Sequence, residues 1–142
     1  MRTLLFLFII AMAVGGIIMS LMLLLKNQPE YRRRVSLKNF IVLIVTYATV
    51  MAGFGVIYLA LELLGMPVLA EGKRLEYESF LHLVEDVLYF SAVTLLTVGY
   101  GDIIPQGLGR WVAMVQALIG YLLPAAFVVT TVIHYDQRAE RL

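Results

Sequence analysis

Three long apolar runs, two of them without a charge, constrain this chain more than any other feature. Leu4 to Leu25 holds 22 residues without a charged side chain, and Phe40 to Leu61 is a second such run, closed by Glu62. At the rise of an α-helix each run extends roughly 33 Å, enough to cross the hydrocarbon core of a bilayer. Leu108 to Tyr135 reads as a third helix, with Arg110 near its start and His134 near its end. The composition agrees: 61% of the 142 residues are hydrophobic and 15% charged, well above the apolar share of a soluble domain. The net charge is only +1, so any basic preference is local. The chain has no cysteine, which excludes disulfides and thiolate metal sites. It shows no internal repeat, no low-complexity tract and no glycine loop for nucleotides, and nothing in it points to nucleic acid.

Between the second and third runs lies a shorter apolar element, about Val84 to Leu96. It is too short to span a bilayer and leads directly into Thr94-Leu95-Leu96-Thr97-Val98-Gly99-Tyr100-Gly101-Asp102. A short buried helix followed by irregular chain is the pattern of a re-entrant segment, tolerated at membrane depth only where protein or water covers it. Gly99 and Gly101 lack a Cβ and take positive φ without steric cost, the conformation that turns successive carbonyls the same way. Thr97 adds a hydroxyl oxygen at one end of the row. One chain supplies one wall of such a site, so a closed ring of oxygens requires several copies around an axis.

The string Thr94-x-x-Thr97-Val98-Gly99-Tyr100-Gly101-Asp102 resembles the signature of tetrameric potassium channels. The resemblance runs from about Phe40 to Tyr135 and does not cover Met1 to about Leu37. It implies an all-α membrane protein with an outer helix, a re-entrant pore helix plus selectivity-filter loop, and an inner helix, preceded by one additional transmembrane helix. The corresponding division is residues 1–36 for that helix and its basic loop, and 37–142 for the pore domain. In that family the carbonyl oxygens of the loop replace the hydration shell of the ion. By the resemblance, Thr97, Val98, Gly99 and Tyr100 of a homotetramer coordinate potassium, and Gly101 permits the exit geometry. Tyr89, Phe90, Thr94 and Asp102 are the implied supports of the filter, with Asp102 a hydrogen-bond partner for an aromatic such as Tyr89. Leu96 departs from the threonine common just before the filter threonine, which predicts altered blocker affinity. Val93 stands where some relatives carry a glutamate behind the filter, so slow inactivation by that route is expected to be absent or altered. Glu85 and Asp86 are expected to open the pore helix, where acidic side chains complement the helix dipole.

The charges orient the chain. The loop after the first helix carries Lys26, Arg32, Arg33, Arg34 and Lys38 against the single acid Glu30, which by the positive-inside rule makes it cytoplasmic. The N-terminus and the connection from Gly65 to Tyr77 then lie outside, and the third helix ends inside at Arg138 and Arg141, in a plasma membrane. Arg32, Arg33 and Arg34 are consecutive in a loop, which excludes a voltage sensor and suits topology first and anionic lipid headgroups second. The alternative for Leu4 to Leu25 is a signal peptide, but no small-residue cleavage site follows it. Ala11 with Gly15, and Gly16 with Ser20, place small residues at the spacing that lets membrane helices approach.

Gly120 falls where similar channels place a hinge, and Pro124 removes a backbone donor one turn later, so the two mark a gating hinge. His134 reads as an interfacial residue and His82 as surface. No nucleophile is paired with a base and no ligand cluster suggests a metal centre, so no enzyme or cofactor is expected beyond permeant potassium. Two other classes remain: a pore-loop subunit of a potassium transporter, whose chains carry four degenerate loops where this one has a single intact copy, and a non-conducting membrane regulatory subunit. The orientation is directly testable. In intact cells, a cysteine from Arg2→Cys is expected to react with an impermeant thiol reagent, and one from Glu30→Cys is not.

Overall fold

The computed structural model describes residues 2–26, 37–71, 73–74 and 79–139. Four helices carry the chain: α1 (Arg2–Lys26), α2 (Leu37–Leu63), α3 (Phe80–Leu95) and α4 (Leu108–Ala139). Three short strands, β1 (Leu69–Glu71), β2 (Lys73–Arg74) and β3 (Ile104–Pro105), lie between them. Thr3–Leu24, Phe40–Leu63 and Leu108–Val128 are long and apolar enough to cross a membrane, and α3, at 16 residues, is not among them. The architecture is therefore that of an all-α membrane protein carrying one small sheet.

α2 is the spine. α1 packs along one side of it and α3 along another, while α4 packs mainly on α3. Two glycines on α2 make these approaches close. Residues two apart on a helix point roughly 200° apart, so Gly53 and Gly55 serve opposite faces. A Cβ on Gly53 would stand 2.6 Å from Cγ1 of Ile17 on α1, and one on Gly55 would stand 2.7 Å from Cδ2 of Leu88 on α3. Among the described side chains of α1, which are largely exposed, Ile17 is the buried one. Of the small residues anticipated on α1, Gly15 and Gly16 serve no such purpose within the chain, because the space beside them is open.

Val50, Phe54 and Tyr58 of α2 meet Leu83, Val87, Phe90 and Leu95 of α3 in the core. Tyr58 and Phe90 pack edge to face, with ring centroids 5.2 Å apart and planes at 80°. α3 begins at Phe80, four residues before the expected Val84, because Ser79 caps it by accepting the amide of His82 at 3.4 Å. Glu85 and Asp86 thus lie a turn inside the helix and do not open it, correcting the sequence expectation.

The end of α2 is built by a left-handed glycine. Gly65 has φ of 80°, its amide donates to the Glu62 carbonyl at 2.9 Å, and the Met66 amide donates to the Leu61 carbonyl at 3.1 Å. The Glu62 carboxylate then accepts the amides of Val68 and Leu69 at 2.8 and 2.9 Å and starts β1. The strand order is β2-β1-β3, antiparallel throughout, with Leu69 opposite Pro105 and Ala70 opposite Ile104. Pro105 sits on the edge strand β3, where its missing donor costs least.

The Gly53 contact yields a prediction. Gly53→Val is expected to destabilise the protein by about 1–3 kcal/mol through overpacking against Ile17. Adding Ile17→Ala should recover part of that loss, as read by SDS-induced unfolding of purified protein in detergent.

Candidate functional site

Everything about the loop after α3 depends on how firmly α3 is held. A buried hydrogen-bond network fixes it to both neighbours. The Tyr58 hydroxyl of α2 donates to Oε1 of Gln116 on α4 at 2.9 Å. Nε2 of Gln116 donates to the Ser91 carbonyl at 2.9 Å and to Ser91 Oγ at 2.7 Å, and Ser91 Oγ donates to the Met51 carbonyl at 2.7 Å. Tyr58, Ser91 and Gln116 are all 0% exposed, and among the described residues no buried side-chain polar atom lacks a partner. Burying an amide and two hydroxyls in an apolar bundle is tolerable only because every one is satisfied.

The loop from Leu96 to Asp102 grows out of the C-terminus of α3. Leu96 donates its amide to the Ala92 carbonyl at 2.9 Å and Thr97 donates to Thr94 at 3.1 Å. The Val93 carbonyl accepts two amides, from Val98 at 2.9 Å and Gly99 at 3.2 Å. The last carbonyls of the helix, which ordinarily lack partners, are thereby spent on anchoring the loop. Beyond that anchor, left-handed residues alternate: Thr97 at φ 57°, Gly99 at 57° and Gly101 at 81°. In an extended chain successive carbonyls point to opposite sides, and inverting every second residue brings them to one side. The glycines take this conformation freely. Thr97 does not, because a β-branched residue at positive φ is strained and persists only where its surroundings over-determine it.

Tyr89 and Asp102 brace the far end of the loop. The Tyr89 hydroxyl donates to Oδ2 of Asp102 at 2.5 Å, and Oδ1 of Asp102 accepts the Ile103 amide at 2.9 Å. The Tyr89 and Tyr100 rings lie nearly parallel, 4° apart in plane with centroids at 6.5 Å. The Asp102 carboxyl is held below its ordinary range, first by the Tyr89 hydroxyl and then by the Ile103 amide. The same bond, with the nearby negative charge, pushes the Tyr89 phenol up to about 12. Near the start of α3, Asp86 is raised by partial burial and by the negative charges of Glu71 and Glu85, against an opposing pull from His82.

The loop itself is uncovered in one chain. Residues 96–102 are all exposed, Tyr100 by 72%. A face of α4 is exposed too, with Trp111, Met114, Val115, Leu118, Tyr121 and Leu122 recurring at helical spacing. Gly120 is buried on the opposite side, where a Cβ would collide with the Leu95 carbonyl at the root of the loop.

The residues expected from the sequence divide clearly. Tyr89, Thr94 and Asp102 hold or anchor the loop, Phe90 packs behind α3, and Gly120 lies against its root. Pro124 lies inside α4. Arg32, Arg33 and Arg34, and the side chain of His134, fall outside the described residues. Gln116, Ser91, Tyr58 and the left-handed Thr97 were not foreseen. Gln116 carried a signal, since a carboxamide in an apolar span is costly and marks a site by default.

A short helix bedded between spans, presenting a strained and exposed loop anchored to its C-terminus, is the architecture of a pore-loop protein. Residues 41–136 match the ion channel family, and the chain belongs to it. The chain is similar to Protein LctB of Bacillus caldotenax, at 41% identity over 133 residues, covering 94% of this chain and 97% of the relative. It is similar also to Protein LctB of Geobacillus stearothermophilus, at 43% over 105 residues, covering 74% and 78% respectively. No solved structure matches.

The brace has a defined pH window. Asp102, with a lowered value, stabilises the fold above the ordinary carboxylate 3.8 and loses that contribution as pH falls through its folded value. Tyr89, with a raised value, contributes fully below the ordinary phenol 10.0 and loses it as pH rises through about 12. The difference in thermal stability between the parent and Tyr89→Phe should be constant well inside that window. It should shrink toward the acid end, where Asp102 becomes neutral, as measured by melting in detergent.

Proposed function

We propose that four copies of this chain assemble around an axis and conduct potassium passively, with Thr97, Val98, Gly99 and Tyr100 supplying the coordinating oxygens and Gly101 the exit turn. The observation that carries this reading is the alternation of left-handed residues at Thr97, Gly99 and Gly101, on a loop left exposed by its own chain. Carbonyl oxygens on one side of a loop are useless to an isolated subunit. Around an axis they form stacked rings that replace the hydration shell of a bare cation. The exposed face of α4 supplies apolar surface for neighbouring copies and for the wall of a cavity. Membership of the ion channel family supports conduction over the regulatory alternative, and the single loop supports a channel over a transporter subunit.

Gly120 and Pro124 are the proposed hinge of α4. Pro124 is the cleaner probe, because any side chain at Gly120 strikes the Leu95 carbonyl and disturbs the loop. Arg32, Arg33 and Arg34 are proposed to face the cytoplasm and anionic lipid headgroups of the plasma membrane.

The test is reversal potential and rubidium flux in liposomes containing purified protein. Strong preference for potassium and rubidium over sodium, with barium block, is expected, and Tyr100→Asp should admit sodium. A reversal potential insensitive to the potassium gradient would refute the assignment, and a native mass other than that of four chains would refute the assembly.

A further inference from the structure

Pro124 has no amide hydrogen, so the Gly120 carbonyl one turn earlier loses the intrahelical donor it would otherwise have. In a hydrocarbon interior, where water is absent, such a carbonyl needs a partner from elsewhere. The Tyr47 hydroxyl of α2 donates to it at 3.2 Å. This contact crosses between helices that otherwise touch little. α4 is tied to α2 by side-chain hydrogen bonds at two levels, Tyr58 to Gln116 and Tyr47 to Gly120. The upper tie is fully buried and shared with α3. The lower one sits at the rung where the helix is weakest, and Gly120 is at the same time wedged against the Leu95 carbonyl. From Leu108 to Gly120, α4 is thus bound to its surroundings, and past Gly120 it crosses a missing rung.

We propose that Tyr47 is a positioning residue for gating: its hydroxyl stands in for the absent Pro124 amide and latches the joint of α4 to the outer helix. The inference rests on the reading of the chain as a gated channel. With the latch made, the Gly120 carbonyl is turned toward α2 and the two halves of α4 keep one mutual direction. With it broken, the Gly120 carbonyl has neither its intrahelical donor nor its external one, and bending of α4 at this rung costs less. α2 thereby acquires a say in the position of the gate through one hydroxyl.

The proposal makes Tyr47 and Pro124 interdependent, which ordinary packing of a tyrosine ring would not. In the parent, Tyr47→Phe removes one neutral hydrogen bond and should move the open–closed equilibrium by about fivefold per subunit. The sign of the shift identifies which gating form is described here. In a Pro124→Ala background the alanine amide satisfies the carbonyl, so Tyr47→Phe should have little further effect. Two readouts are taken on the four proteins of this cycle: open probability from single-channel recording in bilayers, and SDS-induced unfolding in detergent. Coupling between the two substitutions in both readouts supports the latch. Additive effects in unfolding overturn the contact, and coupling in unfolding without a change in open probability overturns its role in gating. A parent that carries no ions defeats the conduction reading and the gating role together, while the unfolding cycle still decides the contact.

Discussion

The Gln116 carboxamide is the constraint on which the rest of this structure depends. One side chain of α4 accepts from Tyr58 on α2 and donates twice to Ser91 on α3. Apolar packing of α3 is less directional than hydrogen bonding, so the polar network adds a sharper definition of its depth. Hydrogen-bond donors and acceptors do not slide, and in a dry interior each mismatch leaves an unpaired group. The network therefore sets the height of α3 between its neighbours, and through the carbonyls of Ala92, Val93 and Thr94 the height of the loop. If the loop acts as the proposed ion filter, its backbone oxygens need that kind of vertical definition.

The large features were legible because they rest on hydrophobicity summed over many residues. Phe40 to Leu61 anticipated α2 to within a few residues at each end, and the start of α4 at Leu108 was read correctly. The Tyr89–Asp102 bond was anticipated from the family pattern. What escaped notice rests on single residues or very short segments. Two strands of two residues and one of three have no periodicity to detect, so the sheet was invisible. Ser79 is a cap whose signal in the sequence is weaker than that of the paired acids Glu85 and Asp86. Thr97 in a left-handed conformation runs against the preference of any β-branched residue, and only the folded context explains it.

Gly120 illustrates how one residue answers to two demands. From the sequence it is a flexible point in a helix. In the structure it is a point of close approach, with the Leu95 carbonyl where its side chain would be and its own carbonyl engaged by Tyr47. Flexibility and tight packing are not in conflict here, since the absence of a side chain serves both. The root of the loop and the middle of α4 are consequently in direct backbone contact, so displacement of α4 at this level is felt at Leu95, one residue before the loop begins.

The small sheet has a mechanical consequence. β1 precedes α3 and β3 follows the loop, and their pairing, with the Gln106 amide donating to the Val68 carbonyl at 2.7 Å, stitches the two ends of this insert together. A tug on α2 or on α4 meets that stitch before it reaches the loop. The seam turns opposing pulls from the two helices into shear across a short paired stretch, Leu69 with Pro105 and Ala70 with Ile104. α3 and its loop therefore hang as a pouch closed by a drawstring, gathered at its mouth by the sheet and held along its length by the Ser91 and Gln116 bonds and by the Leu95–Gly120 contact.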